Sequence, residues 1–345
     1  MKELLSQHTI ERVKSDNCFD FIRYFFAFSL IIVHFCTVTQ REQFWFVTGG
    51  TRVKAFFIIT GFLVVYSYIR SNNLQLYIRK RIGRIVPAYV AVILFCFLIG
   101  LLFTKLSFID YLSSAQTYRY LFANLTFLNF IEPCLPGVFE DNYMPFMNGS
   151  LWSMKVEVLF YMTVPFFMWC LYRFRKEYVI FFVFLFSIIY NEFFSYLYLH
   201  TSNNLYYLLQ HQLGGQIIYF FGGTVLLLYF DLFCKYIKFI FPFGLMLYIA
   251  SSRFHIPYMQ YMEPISFAVV IIGIAYFCKP LNFLKKYDNI SYGLYLYHFP
   301  VIQILVYFHL DVYNIYLTFF LTLLFTISLS VFSWYVIEKR WIIRK

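Results

Sequence analysis

Residues 19–38 read FDFIRYFFAFSLIIVHFCTV. Twenty residues at a helical rise of about 1.5 Å span about 30 Å, the thickness of a bilayer's hydrocarbon core. Only Asp20, Arg23 and His34 interrupt the apolar run, so it reads as a membrane helix carrying three ionisable groups. The preceding segment, MKELLSQHTIERVKSDNC, is polar and lacks the apolar centre of a cleavable signal peptide. The first span is therefore expected to remain in the mature protein.

The composition outside this stretch agrees. Of 345 residues, 61% are hydrophobic, 24% aromatic and 13% charged, against about 45–50% apolar and about 25% charged in an average soluble domain. A soluble globule of this length has too little interior to hide so much apolar surface. With 14 Gly and 10 Pro the chain is also neither collagenous nor disordered. Ten apolar runs are expected to cross the membrane, near 19–38, 53–69, 85–104, 151–172, 178–198, 213–230, 236–252, 264–279, 289–308 and 314–337. The expected fold is an all-α integral membrane protein of about ten transmembrane helices. It is read as one membrane domain, 1–345, with neither an internal repeat nor a soluble module.

The net charge of +11 could point to nucleic acid, but its distribution excludes that reading. When loops are assigned alternately to two sides, 20 Lys/Arg fall on the side of both termini and seven on the other: Arg41, Arg52, Lys54, Lys105, Arg119, Lys155 and Arg253. By the positive-inside rule both termini are cytoplasmic. The seven cysteines, Cys18, Cys36, Cys96, Cys134, Cys170, Cys234 and Cys278, are scattered, mostly in apolar runs, with no C-x-x-C spacing. Neither a disulfide framework nor a metal site is expected. The longest segment on the outer side, 105–150, holds Asp110, Glu132, Glu140, Asp141 and three prolines; such a long loop suits a lid or half-embedded wall.

Ionisable groups in a membrane are costly and point first to function. Arg23 and His34 are eleven residues apart, three helical turns plus about 20°, so they share a face about 16 Å apart along the axis. Asp20 is placed to pair with Arg23 at the helix start. Read blandly, Arg23 reaches the lipid headgroups and His34 bonds a neighbouring helix; the shared face favours function. Glu157, in GSLWSMKVEVLFYMTVP, lies about 9 Å below the outer surface, at a depth similar to His34. It could orient that imidazole, or it could simply bond Lys155 or a tyrosine. The loop YIRKRIGRIVPAYV carries Arg81 and Arg84 three apart, a spacing suited to phosphate capture or to ordinary anchoring at anionic lipid. His298 lies mid-span in ISYGLYLYHFPVI and suits an interhelical hydrogen bond or a proton carrier. Tyr292 and Tyr295 read as packing. Glu338, beside Lys339 and Arg340, reads as a solvated or headgroup-level charge. His200, His211 and His309 carry no specific signal.

At these residues the chain resembles the membrane-bound acyltransferase-3 family. FDFIRYFFAFSLIIVHF is similar to the family's D-x-x-R and R-x10-H opening, here Asp20, Arg23 and His34. AFFIITGF resembles its second-span motif ending in Gly61 and Phe62. RKRIGRIVP resembles its R-x-x-R, here Arg81 and Arg84. SLWSMKVEVLFYMTVP resembles its W-S-x-x-x-E motif, here Trp152, Ser153 and Glu157. ISYGLYLYHFP resembles its S-Y-x-x-Y-L-x-H-x-P, here Ser291, Tyr292, His298 and Pro300. FSWYVIEKRW resembles its closing E-[KR]. Six motifs in the family's order cover nearly the whole chain.

The resemblance implies transfer of an acyl group, usually acetyl, from cytoplasmic acetyl-CoA to a hydroxyl of a surface or lipid-linked glycan such as O-antigen or exopolysaccharide. It implies a multi-pass protein of a bacterial inner membrane, with acyl-CoA, glycan and lipid as partners and no permanently bound cofactor. A homo-oligomer is compatible with it. His34 would be catalytic, as general base or transiently acylated. Glu157 would orient or charge His34, and Arg23 would polarise the thioester or steady the pantetheine arm. Arg81 and Arg84 would bind the donor, and Asp20, Trp152, Ser153, Tyr292 and His298 would support the site. Longer family members append an extracytoplasmic domain, so a chain ending at Lys345 resembles the stand-alone type. Lys155 departs from the W-S motif, where the position is usually small or uncharged, and bears on the acceptor. The alternatives are an O-succinyltransferase of the same family and a transporter or flippase for a lipid-linked saccharide. Sparse Gly and Pro and the lack of inverted repeats weigh against the last.

Overall fold

A computed structural model describes residues 4–14, 17–43, 49–71, 73–254 and 258–342. Lys2, Arg344 and Lys345 of the charge arithmetic lie outside the described residues, as do the side chains of Arg253 and Lys279.

The apolar runs fold as ten long helices: α1 (Phe19–Val38), α2 (Gly49–Ser71), α3 (Leu74–Phe103), α4 (Trp152–Arg173), α5 (Lys176–Thr201), α6 (Leu213–Leu228), α7 (Phe230–Arg253), α8 (Glu263–Phe277), α9 (Ser291–Tyr307) and α10 (Ile315–Ser333). Shorter helices join them, and the described residues hold no strand beyond one isolated bridge, Thr104 to Val138. Among the described residues eight spans are long and apolar enough to cross a membrane, α8 only together with the turn Met259–Met262 that precedes it. The other two expected spans, 213–230 and 289–308, fold as α6 and α9, with 16 and 17 residues. The protein is an all-α integral membrane protein.

Two boundaries differ from expectation for local reasons. The cationic stretch Arg79–Arg84, expected as a loop, forms the first turns of α3, because LQLYIRKRIGRI consists largely of good helix formers. Pro87 lies inside that helix, where its missing N–H frees the carbonyl four residues earlier. Helix α7 starts earlier than expected but breaks at Tyr236 (φ −110°, ψ 15°), where the expected span begins.

The chain forms two compact units, each gathered from three separate stretches. The first comprises residues 1–23, 53–77 and 156–287, and its core helix is α6. Fourteen of the 16 residues of α6 are buried, as expected of a helix that is apolar all round. It crosses α2 where a glycine of each helix lies against the other's backbone. A Cβ on Gly61 would fall 1.8 Å from the Phe220 carbonyl oxygen, and one on Gly223 would fall 2.0 Å from that of Ile58. Thr224 Oγ1 also donates to the Gly61 carbonyl at 3.2 Å. The glycine of AFFIITGF thus serves close helix packing.

The second unit comprises 24–52, 78–155 and 288–345 and is built around α9, of which 13 of 17 residues are buried. Helix α10 turns Thr318, Thr322, Thr326, Ser330 and Ser333 inward, all fully buried. These small side chains let α9 approach so closely that a Cβ on Gly293 would lie 2.8 Å from Ser330 Cα. Past Ser333 the helix widens into a π-helical turn, Trp334–Glu338. The 105–150 segment folds as two short helices, Phe108–Ser113 and Ala115–Leu125, each capped by a serine, and then a long irregular stretch tied to α9. Asn142 donates to the Gln303 carbonyl and side-chain oxygen at 3.0 and 2.9 Å, and Asn148 donates to the Leu296 carbonyl at 2.9 Å. Gln303 in turn donates to the carbonyls of Met144 and Phe146.

Candidate active site

Helix α1 presents His34 and helix α9 presents His298, both in the second unit. His34 Nδ1 lies 2.7 Å from His298 Nε2. The rings are nearly parallel, with centroids 5.0 Å apart, and Phe299 stands edge-on to His34. His298 Nδ1 lies 2.9 Å from the carbonyl of Leu294 on its own helix. These contacts determine the tautomers of a neutral pair. A carbonyl only accepts, so His298 Nδ1 carries the hydrogen and Nε2 keeps the lone pair. His34 Nδ1 must then donate to it, which leaves His34 Nε2 as the basic nitrogen. His298 is fully buried and His34 half-buried, so His34 is the more exposed member of the pair. Phe35, Val38, Phe299 and Ile302 pack around the next turn, with Met144 and Phe146 of the long segment against them.

Arg52 joins this group from the start of α2. It is fully buried and donates to the carbonyl of Ser29 on α1. Its charge is close enough to act on both imidazoles. By sequence Arg52 counted only as an outer-side cation, and the signal was its place directly before the second expected span, 53–69.

A second cluster surrounds Arg84. Its guanidinium packs over the rings of Tyr292 (5.7 Å) and Trp334 (6.0 Å) and faces Glu338 at 3.9 Å. Glu338 is not the solvated charge expected from its lysine and arginine neighbours. It is 1% exposed, because the π turn swings it inward, where Ser333 Oγ donates to it at 3.1 Å. Tyr292 donates to the carbonyl of Ile85, one residue past Arg84, at 3.2 Å. Arg81 lies one turn earlier on the same helix and is half-buried.

The remaining expected site residues fall as follows. Arg23 pairs with Asp20 at 3.3 Å. Glu157 accepts a hydrogen bond from the Tyr161 hydroxyl one turn on, while the partner at His34 Nδ1 is His298. Trp152 is exposed, and Ser153 is buried with its hydroxyl 2.8 Å from that of Tyr295. Tyr295 also donates to the Ser150 carbonyl. Tyr292 and Tyr295, read from sequence as packing, therefore tie α9 to α3 and to the start of α4. Lys155 Nζ sits over the Phe130 ring at 4.2 Å. Among the described residues no three His, Cys, Asp or Glu gather where they could hold a metal.

Comparison with known proteins shows the family. Residues 16–339 match the family profile described as an acyltransferase domain. The chain is 28% identical over 343 residues to an O-acetyl transferase of Shigella phage Sf6, covering 95% of this chain and 96% of that one. It is 30% identical over 160 residues, 43% of each chain, to nodulation protein 10 of Rhizobium leguminosarum bv. viciae. No solved structure matches.

Proposed function

Because the chain belongs to the acyltransferase family whose domain it matches over residues 16–339, we propose that it moves an acetyl group from cytoplasmic acetyl-CoA to a hydroxyl of a surface or lipid-linked glycan in a bacterial inner membrane. The full-length likeness to an O-acetyl transferase supports the acetyl group and the oxygen acceptor. The observation that carries the chemistry is the 2.7 Å contact between His34 and His298, with Leu294 fixing the second ring.

In this reading the whole chain works as one membrane domain with both termini cytoplasmic. Arg81 and Arg84 meet the phosphates of CoA, which cannot enter the bilayer. His34 Nε2 takes the proton of the acceptor hydroxyl, and the oxygen attacks the thioester carbon. The tetrahedral intermediate's oxyanion is stabilised by a fixed positive charge, the role suited to buried Arg52. The intermediate collapses with loss of the CoA thiolate, to which His34 returns the proton. His298 holds His34 in the tautomer this requires, as the third member of a catalytic triad does. Arg23 steadies the pantetheine arm.

The test is transfer of labelled acetyl from acetyl-CoA into surface glycan by membranes carrying wild type or His34→Ala. Label that depends on His34 supports the assignment. Transfer by His34→Ala at the wild-type rate and membrane level would end it.

A further inference from the structure

A cavity of about 300 Å³ opens in the first unit at the N-terminal ends of α2, α6 and α8. Lys54, Asn191, Glu192, Gln216, Tyr219 and Glu263 line it, a polar set in helices that are otherwise apolar. Part of this wall is rigid. Lys54 Nζ lies 2.9 and 3.0 Å from the two oxygens of Glu263, and the Tyr219 hydroxyl donates to the same carboxylate at 2.9 Å. Lys54 also sits over the Tyr219 ring, 4.8 Å from its centroid.

Gln216 stands apart from this network. Its side chain is on a core helix and only 8% exposed, yet among the described residues its amide makes no side-chain hydrogen bond within the protein. Its donors and acceptor are therefore left to whatever fills the cavity. A ligand that offers both a donor and an acceptor would engage both ends of the amide.

From these observations we infer that the cavity binds one neutral sugar ring of the acceptor glycan; this rests on the glycan-acylation reading. The charge on the wall decides the class of ligand. Lys54 and Glu263 neutralise each other, and Glu192 leaves the lining net negative, which disfavours CoA, phosphate or an acidic saccharide. The groups left over, the Gln216 amide, the Asn191 amide oxygen and the Glu192 carboxylate, are what a polyhydroxylated ring requires. A volume of about 300 Å³ is at the lower end for small-ligand pockets, which suits one ring. The helix ends concerned lie, by loop alternation, on the side opposite the cation-rich face. That is the side where surface glycan is met.

The inference is tested by saturation-transfer NMR on the purified full chain with methyl glycosides of glucose, galactose and rhamnose, and with N-acetylglucosamine. At least one should bind, and Gln216→Ala and Glu192→Gln should each weaken it at least tenfold while CoA binding stays unchanged. Unchanged CoA binding also reports that the variants are folded. Binding of none of the four sugars, binding by both variants as tight as by wild type, or displacement of the sugar by inorganic phosphate would overturn the inference. Acetyl transfer without sugar binding here would remove this site alone. Sugar binding without acetyl transfer would remove the transfer reading and leave the pocket in place.

Discussion

His34 Nδ1 and His298 Nε2 are 2.7 Å apart, and the far nitrogen of His298 faces the Leu294 carbonyl at 2.9 Å. The three groups form a one-way relay of donors and acceptors, whose free end is the basic nitrogen of His34.

Replacing His298 should therefore act on chemistry and spare donor binding. His298→Ala is expected to lower kcat about 10²–10⁴-fold, the usual range for disturbing a general base, with little change in the KM for acetyl-CoA. His298→Gln keeps an acceptor oxygen near His34 Nδ1 and should recover part of the loss. Steady-state kinetics in membranes would check both, and an Ala variant as active as wild type would remove His298 from the relay.

Glu338 should act through Arg84. Glu338→Gln leaves the volume but removes the charge facing the guanidinium at 3.9 Å. The expected result is a several-fold higher KM for acetyl-CoA with kcat nearly unchanged. Arg84→Ala should raise it at least as much. The double variant should be no worse than Arg84→Ala alone, because the two changes remove one device; additive effects would separate them.

The glycine crossing predicts a stability contrast. Gly61→Ala forces a methyl group against the Phe220 carbonyl, whereas a Cβ on Gly50 meets nothing within 4 Å. Overpacking of this kind costs about 1–3 kcal/mol or more. Thermal unfolding in detergent should show a clear loss for Gly61→Ala and none for Gly50→Ala. Equal midpoints would refute the tight crossing.

Gln303 ties down the irregular outer segment. Gln303→Ala strands the carbonyls of Met144 and Phe146, each worth about 1–3 kcal/mol when buried and unsatisfied, while the Asn142 amide keeps the backbone carbonyl of residue 303. The expected sign is faster proteolysis within 133–150 in inside-out-controlled vesicles, at unchanged membrane level. Proteolysis at the wild-type rate would show that other contacts hold the segment.

Much of this was legible as residues, and less of it as relationships. The apolar run around Arg23 and His34 is long enough to declare a membrane helix, and His298 stood out as a polar group in mid-span. Their pairing was not legible, because contact between residues 264 apart depends on tertiary packing. Glu338 was misread because its sequence neighbours, Lys339 and Arg340, suggest water, whereas the π turn that buries it is a backbone irregularity without a compositional mark. Arg52 was placed in a loop by its charge, although burial on α1 determines its surroundings. The stretch Arg79–Arg84 was read as a connection because it is cationic, while its helix propensity was the better guide.

The separation of the two histidines also bears on how the protein is made. A ribosome adds about 5–20 residues per second, so the 264 residues between them take about 13–50 s to appear. Throughout that interval α1 holds an imidazole whose eventual partner has not been synthesised. Arg52, in contrast, emerges 23 residues after Ser29 and can meet its carbonyl almost at once. The early helices must therefore wait in the membrane with their cation settled and their histidine unsettled, and only the emergence of α9 completes the relay.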